Sequence, residues 1–378
     1  MIIMALDHTR DFFHAAAASF SPTDLTHTYP LLFFTRWITH LCAPVFTFTA
    51  GLGAFLWLQR GRTKAELSRF LLTRGIWLIF LELTVMRFAY NFNFASRFPV
   101  FLLVMWELGA CMVVLAALVQ LPYRVLAFLS IAVIVLHNLL DRINATSFGH
   151  YAPLWEVLHQ PGAFPVLGMF VVVPYSLIPW IAVMSAGFCF GRVFLLEPAH
   201  RQKIILATGV ALTFAFLILR AINLYGDPAP WSPQHSAVFT LLSFLNCTKY
   251  PPSLLYLLMT LGPALIFLAL VDRHRFKSTN PLIVFGRVPL FYFVAHFYLI
   301  HLLSFFSTWL RYGTRSYPIL FSSPPAMGGP ENLFPPDFGY SLWVVYAVWL
   351  FVVISLYPAC RWFANLRARR TDWWLSYL

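Results

Sequence analysis

The sequence predicts an all-α, polytopic transmembrane helix bundle of about ten spans, on three observations. Hydrophobic residues are 60% of the 378 and charged residues 11%, against about 45–50% and about 25% in soluble domains. Mean hydropathy is +0.73. Predominantly apolar segments, each near the roughly 20 residues that cross a bilayer, recur at about 1–20, 36–58, 68–88, 99–120, 124–141, 164–191, 203–222, 253–271, 285–307 and 341–360. No stretch between them is polar enough to fold separately in water, so a single integral membrane domain over 1–378 is expected.

The first segment, MIIMALDHTRDFFHAAAASF, is the most informative because it places Asp7, His8, Arg10, Asp11 and His14 among apolar residues. Ionisable groups at membrane depth mark function by default. At about 100° per residue a continuous helix carries Asp7, Asp11 and His14 within roughly 60° of one another, with His8 three positions from Asp11 and Arg10 four from His14. That pattern is a proton-handling face. The plainer alternative is an ion-paired helix, although a structural pair needs only two charges and five are expensive to desolvate.

The second segment, FFTRWITHLCAPVFTFTAG, sets Arg36, His40 and Pro44 four apart on one face. The third and fourth contain Glu82 and Glu107, both expected to face the bundle interior, with Arg74 or Arg87 as candidate partners. His137 closes the fifth beside Asn138 and Asp141 and reads as interfacial. In the sixth, VVVPYSLIPW places Pro174 and Pro179 as expected breaks in a span, as Pro44 is in the second; such breaks are tolerated where helices line a cavity. Lys249 and Tyr250 sit at an expected outer mouth just before the eighth segment. Lys249 either holds an acceptor or anchors the helix at the interface. The ninth, FGRVPLFYFVAHFYLIH, carries Arg287, His296 and His301. Five residues apart, these two histidines point about 140° away from each other and cannot share one small site; Tyr292 and Tyr298 are their candidate local partners.

The loops separate into two kinds. If both termini are cytoplasmic, fourteen Lys and Arg fall inside (Arg60, Arg62, Lys64, Arg124, Arg192, Arg201, Lys203, Arg273, Arg275, Lys277, Arg361, Arg367, Arg369, Arg370). Eight fall outside (Arg36, Arg87, Arg97, Arg142, Arg220, Lys249, Arg311, Arg315). That asymmetry supports an inner-membrane protein with cytoplasmic ends. The inner loops are short and basic, which suits either topogenic signalling alone or docking of a polyanionic cofactor. The outer segments Leu224–Pro252 and Arg311–Tyr340 are long and rich in Pro, Gly and Trp, and are expected to cap a cavity.

Several function classes are disfavoured. The net charge of +12 is scattered at the ends of apolar segments, unlike the continuous basic face of a nucleic-acid binder. Five cysteines form neither a disulfide framework nor a CxxC pattern, and HExxH, P-loop, GxGxxG and GxSxG signatures are missing, so no metal is expected. The start lacks the basic n-region and cleavage site of a signal peptide. The halves show no matching pairs of broken spans, which argues against an inverted-repeat transporter.

MALDHTRDFFH, FFTRWITHLCAPVFTFTAG, KYPPSLLYLLMTLGPAL and PLIVFGRVPLFYFVAHFYLIH together resemble bacterial membrane proteins grouped with the catalytic domain of heparan-α-glucosaminide N-acetyltransferase. The resemblance extends over essentially the whole chain. It implies a multi-span transmembrane acyltransferase fold that moves an acyl group from acetyl-CoA or another acyl-CoA on the cytoplasmic side to an acceptor, often a sugar, on the far side. Relatives generally carry a further helical half with an Asp-x-x-Arg-Gly motif ahead of the MALDH-like stretch. An internal start or loss of that half helix is therefore expected here. The lysosomal enzyme has an Asn near the position of His8, so only the location of the reaction centre, at the first-segment cluster, is carried over.

Acyl transfer needs a base that takes the acceptor's proton during attack on the thioester, and a group titrating near neutrality serves best. His8 or His14 is expected as that base and Asp11 as its orienter, with Asp7 in the same cluster. Arg10 and His40 are expected to stabilise the oxyanion or hold the acceptor, with Arg36, Glu107, Lys249 and His296 further candidates for substrate binding. Arg273, Arg275, Lys277 and Arg287 are expected to attract the CoA phosphates. Direct transfer and an acetyl-His intermediate both stay open, and so does a homodimer. The expected partners are the lipid bilayer, acyl-CoA and a glycan or glycolipid acceptor, with no nucleic acid. A proton-coupled transporter or flippase using the same polar face is the alternative.

Overall fold

The computed structural model describes residues 1–95, 98–322, 325, 333–370, 372 and 375. Arg97, counted above on the outer side, and the Pro- and Gly-rich run 326–332 of the second long outer segment lie outside the described residues. Among the described residues seven helices are long and apolar enough to cross a membrane: Pro30–Leu58, Tyr123–Arg142, Leu177–Leu195, Pro198–Ile222, Leu254–Val271, Pro289–Leu320 and Leu342–Arg369. The other three expected segments also form helices, at Ile2–Phe13, Lys64–Leu81 and Val104–Leu118. The chain is an all-α, multi-pass membrane protein.

Several segments depart from the simple helical pattern. The first helix has 12 residues, about 18 Å at 1.5 Å per residue, against a hydrocarbon core of about 30 Å. It stops because other groups take its last backbone partners. The Tyr340 amide donates to Phe13 O at 2.7 Å, the Ala15 amide donates to Tyr340 O at 3.0 Å, and His14 turns extended with ψ 135°. The expected span 164–191 begins as a hairpin instead. Gly162–Val166 pairs antiparallel with Met169–Val173, which also pairs in parallel with Val100–Phe101. Leu167 and Gly168 make the turn at positive φ, and the β-branched run Val171–Val173 favours a strand. The helix starts only at Leu177, so Pro179 sits in a first turn where its missing N–H costs nothing and Pro174 lies before the helix. Pro44 likewise falls in the first turn of Cys42–Leu58, just after a 3-10 turn at Ile38–Leu41. Neither Pro174 nor Pro179 breaks the sixth helix as expected.

The chain divides into two compact units. The first comprises residues 1–42, 84–98 and 275–378. In it the Ile2–Phe13 helix packs against Pro289–Tyr312 and Leu342–Arg369. Trp349 Nε1 donates to Ile2 O at 2.9 Å, and Ala5, Phe33, Phe297, Ile300 and Val345 are completely buried.

The second unit comprises 43–83 and 99–274. Its main helix pairs, Lys64–Leu81 with Val104–Leu118 and Pro198–Ile222 with Leu254–Val271, approach closely through small residues, as membrane helices do. A Cβ on Gly75 would lie 2.5 Å from Gly109 O and one on Gly109 2.6 Å from Gly75 O; on Gly209 it would meet Ile266 N at 2.7 Å. Glu82, fully buried, accepts from the Met105 and Trp106 amides at 3.0 and 3.2 Å. It thereby satisfies orphan donors at a helix N-terminus.

The long segment after Ile222 has secondary structure of its own, the helix Ala237–Leu245, and is tied down by two charges. Buried Arg220 donates to the carbonyls of Phe244 (2.9 Å), Ala229 (3.0 Å), Ser243 (3.1 Å) and Asn246 (3.0 Å). Asp227 accepts from Thr248 N, Thr248 Oγ1 and Ser253 Oγ at 2.7–2.8 Å.

Candidate functional site

The helix Ile2–Phe13 separates the polar cluster into two groups. Asp7, Arg10 and Asp11 are all buried, at 9, 3 and 9% exposure. Arg10 Nη2 ion-pairs with Asp7 at 3.1 Å and with Asp11, and Arg36 pairs with the other oxygen of Asp7. Two carboxylates therefore face two guanidiniums, a charge-balanced network of the kind a low-dielectric interior requires. Arg10 Nη1 is buried without a hydrogen-bond partner among the described residues. An N–H donor left over in this way is a group that a developing anion would satisfy.

His8 belongs to the second group. Its ring lies 5.3 Å from that of His296 and 4.7 Å from Phe297, centroid to centroid. His296 is completely buried. Its Nδ1 donates to Tyr292 O at 2.8 Å, and its ring stacks on Tyr292 at 5.0 Å and 12°. Donation from Nδ1 fixes the neutral tautomer, leaving Nε2 as the nitrogen with the free lone pair. Nε2 has no hydrogen-bond partner among the described residues, and neither does the Tyr292 hydroxyl. Both are polar atoms in an apolar aromatic setting.

His14 is placed differently from its helical expectation. Because the helix ends at Phe13, its ring leaves the Asp7/Asp11 face. Nδ1 accepts from the Ala16 amide at 3.1 Å and Nε2 lies 3.5 Å from Tyr29 Oη. The capping bond occupies the one lone pair a neutral ring offers. His40 is buried within the 3-10 turn Ile38–Leu41, so its i, i+4 alignment with Arg36 is interrupted. His301 donates from Nδ1 to Ala89 O at 2.6 Å and stacks on Phe92 at 3.6 Å. It borders a cavity of about 20 Å³, room for about one water and no sugar. Tyr298, its expected partner, donates to Val85 O instead at 2.7 Å.

The remaining candidates are dispersed. Glu107, fully buried, accepts from Thr47 Oγ1 at 3.0 and 3.2 Å and Cys111 Sγ at 3.5 Å; its partners are a hydroxyl and a thiol, not Arg74 or Arg87. Lys249 Nζ sits 5.0 Å over the Tyr250 ring and 6.0 Å over Tyr175, a cation–π contact. Arg273, Arg275, Lys277 and Arg287 are exposed. His137 is more than interfacial: it is buried, and its Nε2 donates to Pro252 O at 2.8 Å, fastening one helix end to the start of another. The His8–His296 juxtaposition had no sequence signal, since the residues lie in the first and ninth segments.

Residues 1–222, more than half of the chain, match the family model described as heparan-alpha-glucosaminide N-acetyltransferase, catalytic. The chain belongs to that family. No curated protein matches it. Membership in the heparan-alpha-glucosaminide N-acetyltransferase catalytic family makes this a multi-pass membrane protein of an acetyltransferase class. The matched stretch contains Asp7, His8, Arg10, Asp11, His14, Arg36, His40 and Glu107. Lys249, Arg273, Arg275, Lys277, Arg287 and His296 lie beyond it.

Proposed function

We propose that the whole chain works as one transmembrane acetyltransferase domain of the cytoplasmic membrane, with both termini cytoplasmic. It would take an acetyl or other acyl group from acyl-CoA on the inner side and pass it to an amine or hydroxyl of a glycan or glycolipid acceptor on the outer side. The observation that carries this is the His8–His296 pair, in which His296 presents a buried Nε2 with no hydrogen-bond partner among the described residues. A neighbour whose lone pair is not already engaged can take a proton on from the base.

His8 is the base in this reading and His296 its neighbour in proton transfer. His14 is the weaker choice because protonation at Nδ1 would break its bond to the Ala16 amide. As the acceptor nitrogen or oxygen attacks the thioester carbonyl, the new C–N or C–O bond forms and the acceptor's proton passes to His8. The carbonyl oxygen becomes an oxyanion, for which Arg10 Nη1 is the candidate donor. Collapse breaks the C–S bond, and the CoA thiolate takes up the proton. Asp7 and Asp11, with Arg36, hold the Arg10 guanidinium in place, an orienting role different from contact with a histidine. His40, Glu107 and Lys249 remain candidates for substrate binding. The exposed cations Arg273, Arg275, Lys277 and Arg287 would raise the local concentration of the CoA polyanion.

The test is release of free CoA thiol from acetyl-CoA by the purified full chain, with glucosamine as acceptor. His8→Ala and His296→Ala are each expected to lower turnover by about 10²–10⁴-fold, the usual worth of general base catalysis, whereas His301→Ala stays within a few-fold of wild type. Turnover unchanged in both of the first two variants overturns the assignment.

A further inference from the structure

The second unit contains a cavity of about 510 Å³, within the range of small-molecule sites, which the chemistry above does not use. It lies where four helices begin or end: Cys42–Leu58, Lys64–Leu81, Tyr123–Leu136 and Leu177–Phe190. Phe55, Leu126 and Phe188 give it apolar walls, while Gln59, Lys64, Tyr123 and Arg192 supply its polar groups. Among the described residues no Asp or Glu lines it.

The two cations are held in place without a carboxylate. The Arg192 guanidinium stands 3.6 Å over the Tyr123 ring, and Tyr123 Oη donates to Cys189 O at 2.7 Å, fixing the ring that supports it. Lys64 Nζ lies 3.3–3.4 Å from the carbonyls of Leu121 and Gln120. No salt bridge involves either residue among the described residues. Beside Arg192, the lining residues Leu195 and Leu196 are exposed at 58 and 37%. Basic side chains next to exposed leucines at helix ends suit the boundary between headgroups and acyl chains.

We propose that this cavity binds an anionic phospholipid, its phosphate on Arg192 and Lys64 and part of an acyl chain between Phe55, Leu126 and Phe188. Charge and polarity favour a phospholipid over coenzyme A. One phosphodiester can be bridged by two cations, whereas coenzyme A brings several phosphate charges and a long polar body against walls that are mainly apolar. On the orientation proposed above, the site opens to the inner leaflet. It is independent of the assignment of His8 and His296.

The test measures thermal unfolding of the full chain in dodecyl maltoside while dihexanoyl phosphatidylglycerol is added. Saturable stabilisation is expected, with dihexanoyl phosphatidylcholine and inorganic phosphate each giving a much smaller shift. Arg192→Gln or Lys64→Gln should weaken the phosphatidylglycerol effect by about 5-fold, from loss of one basic contact, and Arg192→Lys should retain most of it. Leu126→Trp, which fills the cavity without changing its charge, should abolish it. Equal shifts from the two lipids, no response to either charge variant, or displacement of phosphatidylglycerol by coenzyme A would each overturn the proposal. None of these measurements depends on turnover, so they stand or fall separately from the acyltransfer assay.

Discussion

Arg220 in one unit and Arg10 in the other are both almost fully buried guanidiniums, and they are neutralised in opposite ways. Arg220 is enclosed by four backbone carbonyls. Arg10 sits between two carboxylates, one of which is shared with Arg36. Carbonyls have no protonation state to change, so Arg220 is a permanent clasp on the segment that follows Ile222. Carboxylates can be neutralised, so the Arg10 network responds to charge, and one Arg10 nitrogen is left over. The same residue type is structural in the first setting and available for chemistry in the second, and what distinguishes them is the partner.

The hardest test of that contrast is Arg220→Ala. It strands four buried acceptors at about 1–3 kcal/mol each, so little folded protein should be recovered, with early proteolysis between Leu224 and Pro252. Arg220→Lys should recover only part, because an ammonium has three donors for four carbonyls. Normal yield and protease resistance of Arg220→Ala would remove the clasp from the comparison.

Asp7→Asn should cost less, about 3–5 kcal/mol, the usual penalty for breaking one side of a buried ion pair. Because Asp11 still pairs with Arg10, the double variant Asp7→Leu/Arg36→Leu should return thermal stability close to wild type. Acyl transfer should stay depressed, since Arg10 has lost an anchor. If the double variant regains stability and turnover together, the network is purely structural.

The smallest effect belongs to an exposed acid. Hydrogen bonds from His27 first, then from the Thr26 amide and hydroxyl, lower the Asp24 carboxyl from an ordinary 3.8 to about 2. A lowered carboxyl pKa contributes stability that is complete above the unfolded value and lost as pH falls through the folded one. The melting temperatures of wild type and Asp24→Asn should therefore differ slightly at about pH 6 and converge between about pH 4 and 2. A gap that persists at the acid end would show that Asp24 acts by something other than its charge.

The membrane class and the positions of the helices were legible because hydropathy acts locally along the chain. All ten expected segments contain a helix, and Glu82 and Glu107 are indeed buried. Errors arose where distant residues decide local geometry. Tyr340 ends the first helix after Phe13 and so turns His14 away from Asp7 and Asp11. Pairing with Val100–Phe101 helps draw Met169–Val173 into a sheet. Helical phase correctly separated His296 from His301, but it could not show which of them meets His8, since that depends on packing between segments far apart in sequence.

The glycine contacts in the second unit carry a consequence for how sequences of this kind can vary. Gly75 and Gly109 each approach the other's carbonyl oxygen, so the obstacle to a larger residue at either position is main chain, which every substitution retains. A paired change cannot relieve the clash, as it can when two side chains compete for one space. Among homologues, Gly75 and Gly109 should therefore be constant independently of each other and show no covariation, whereas positions facing side chains, such as Phe55 and Phe188, should drift in compensating pairs.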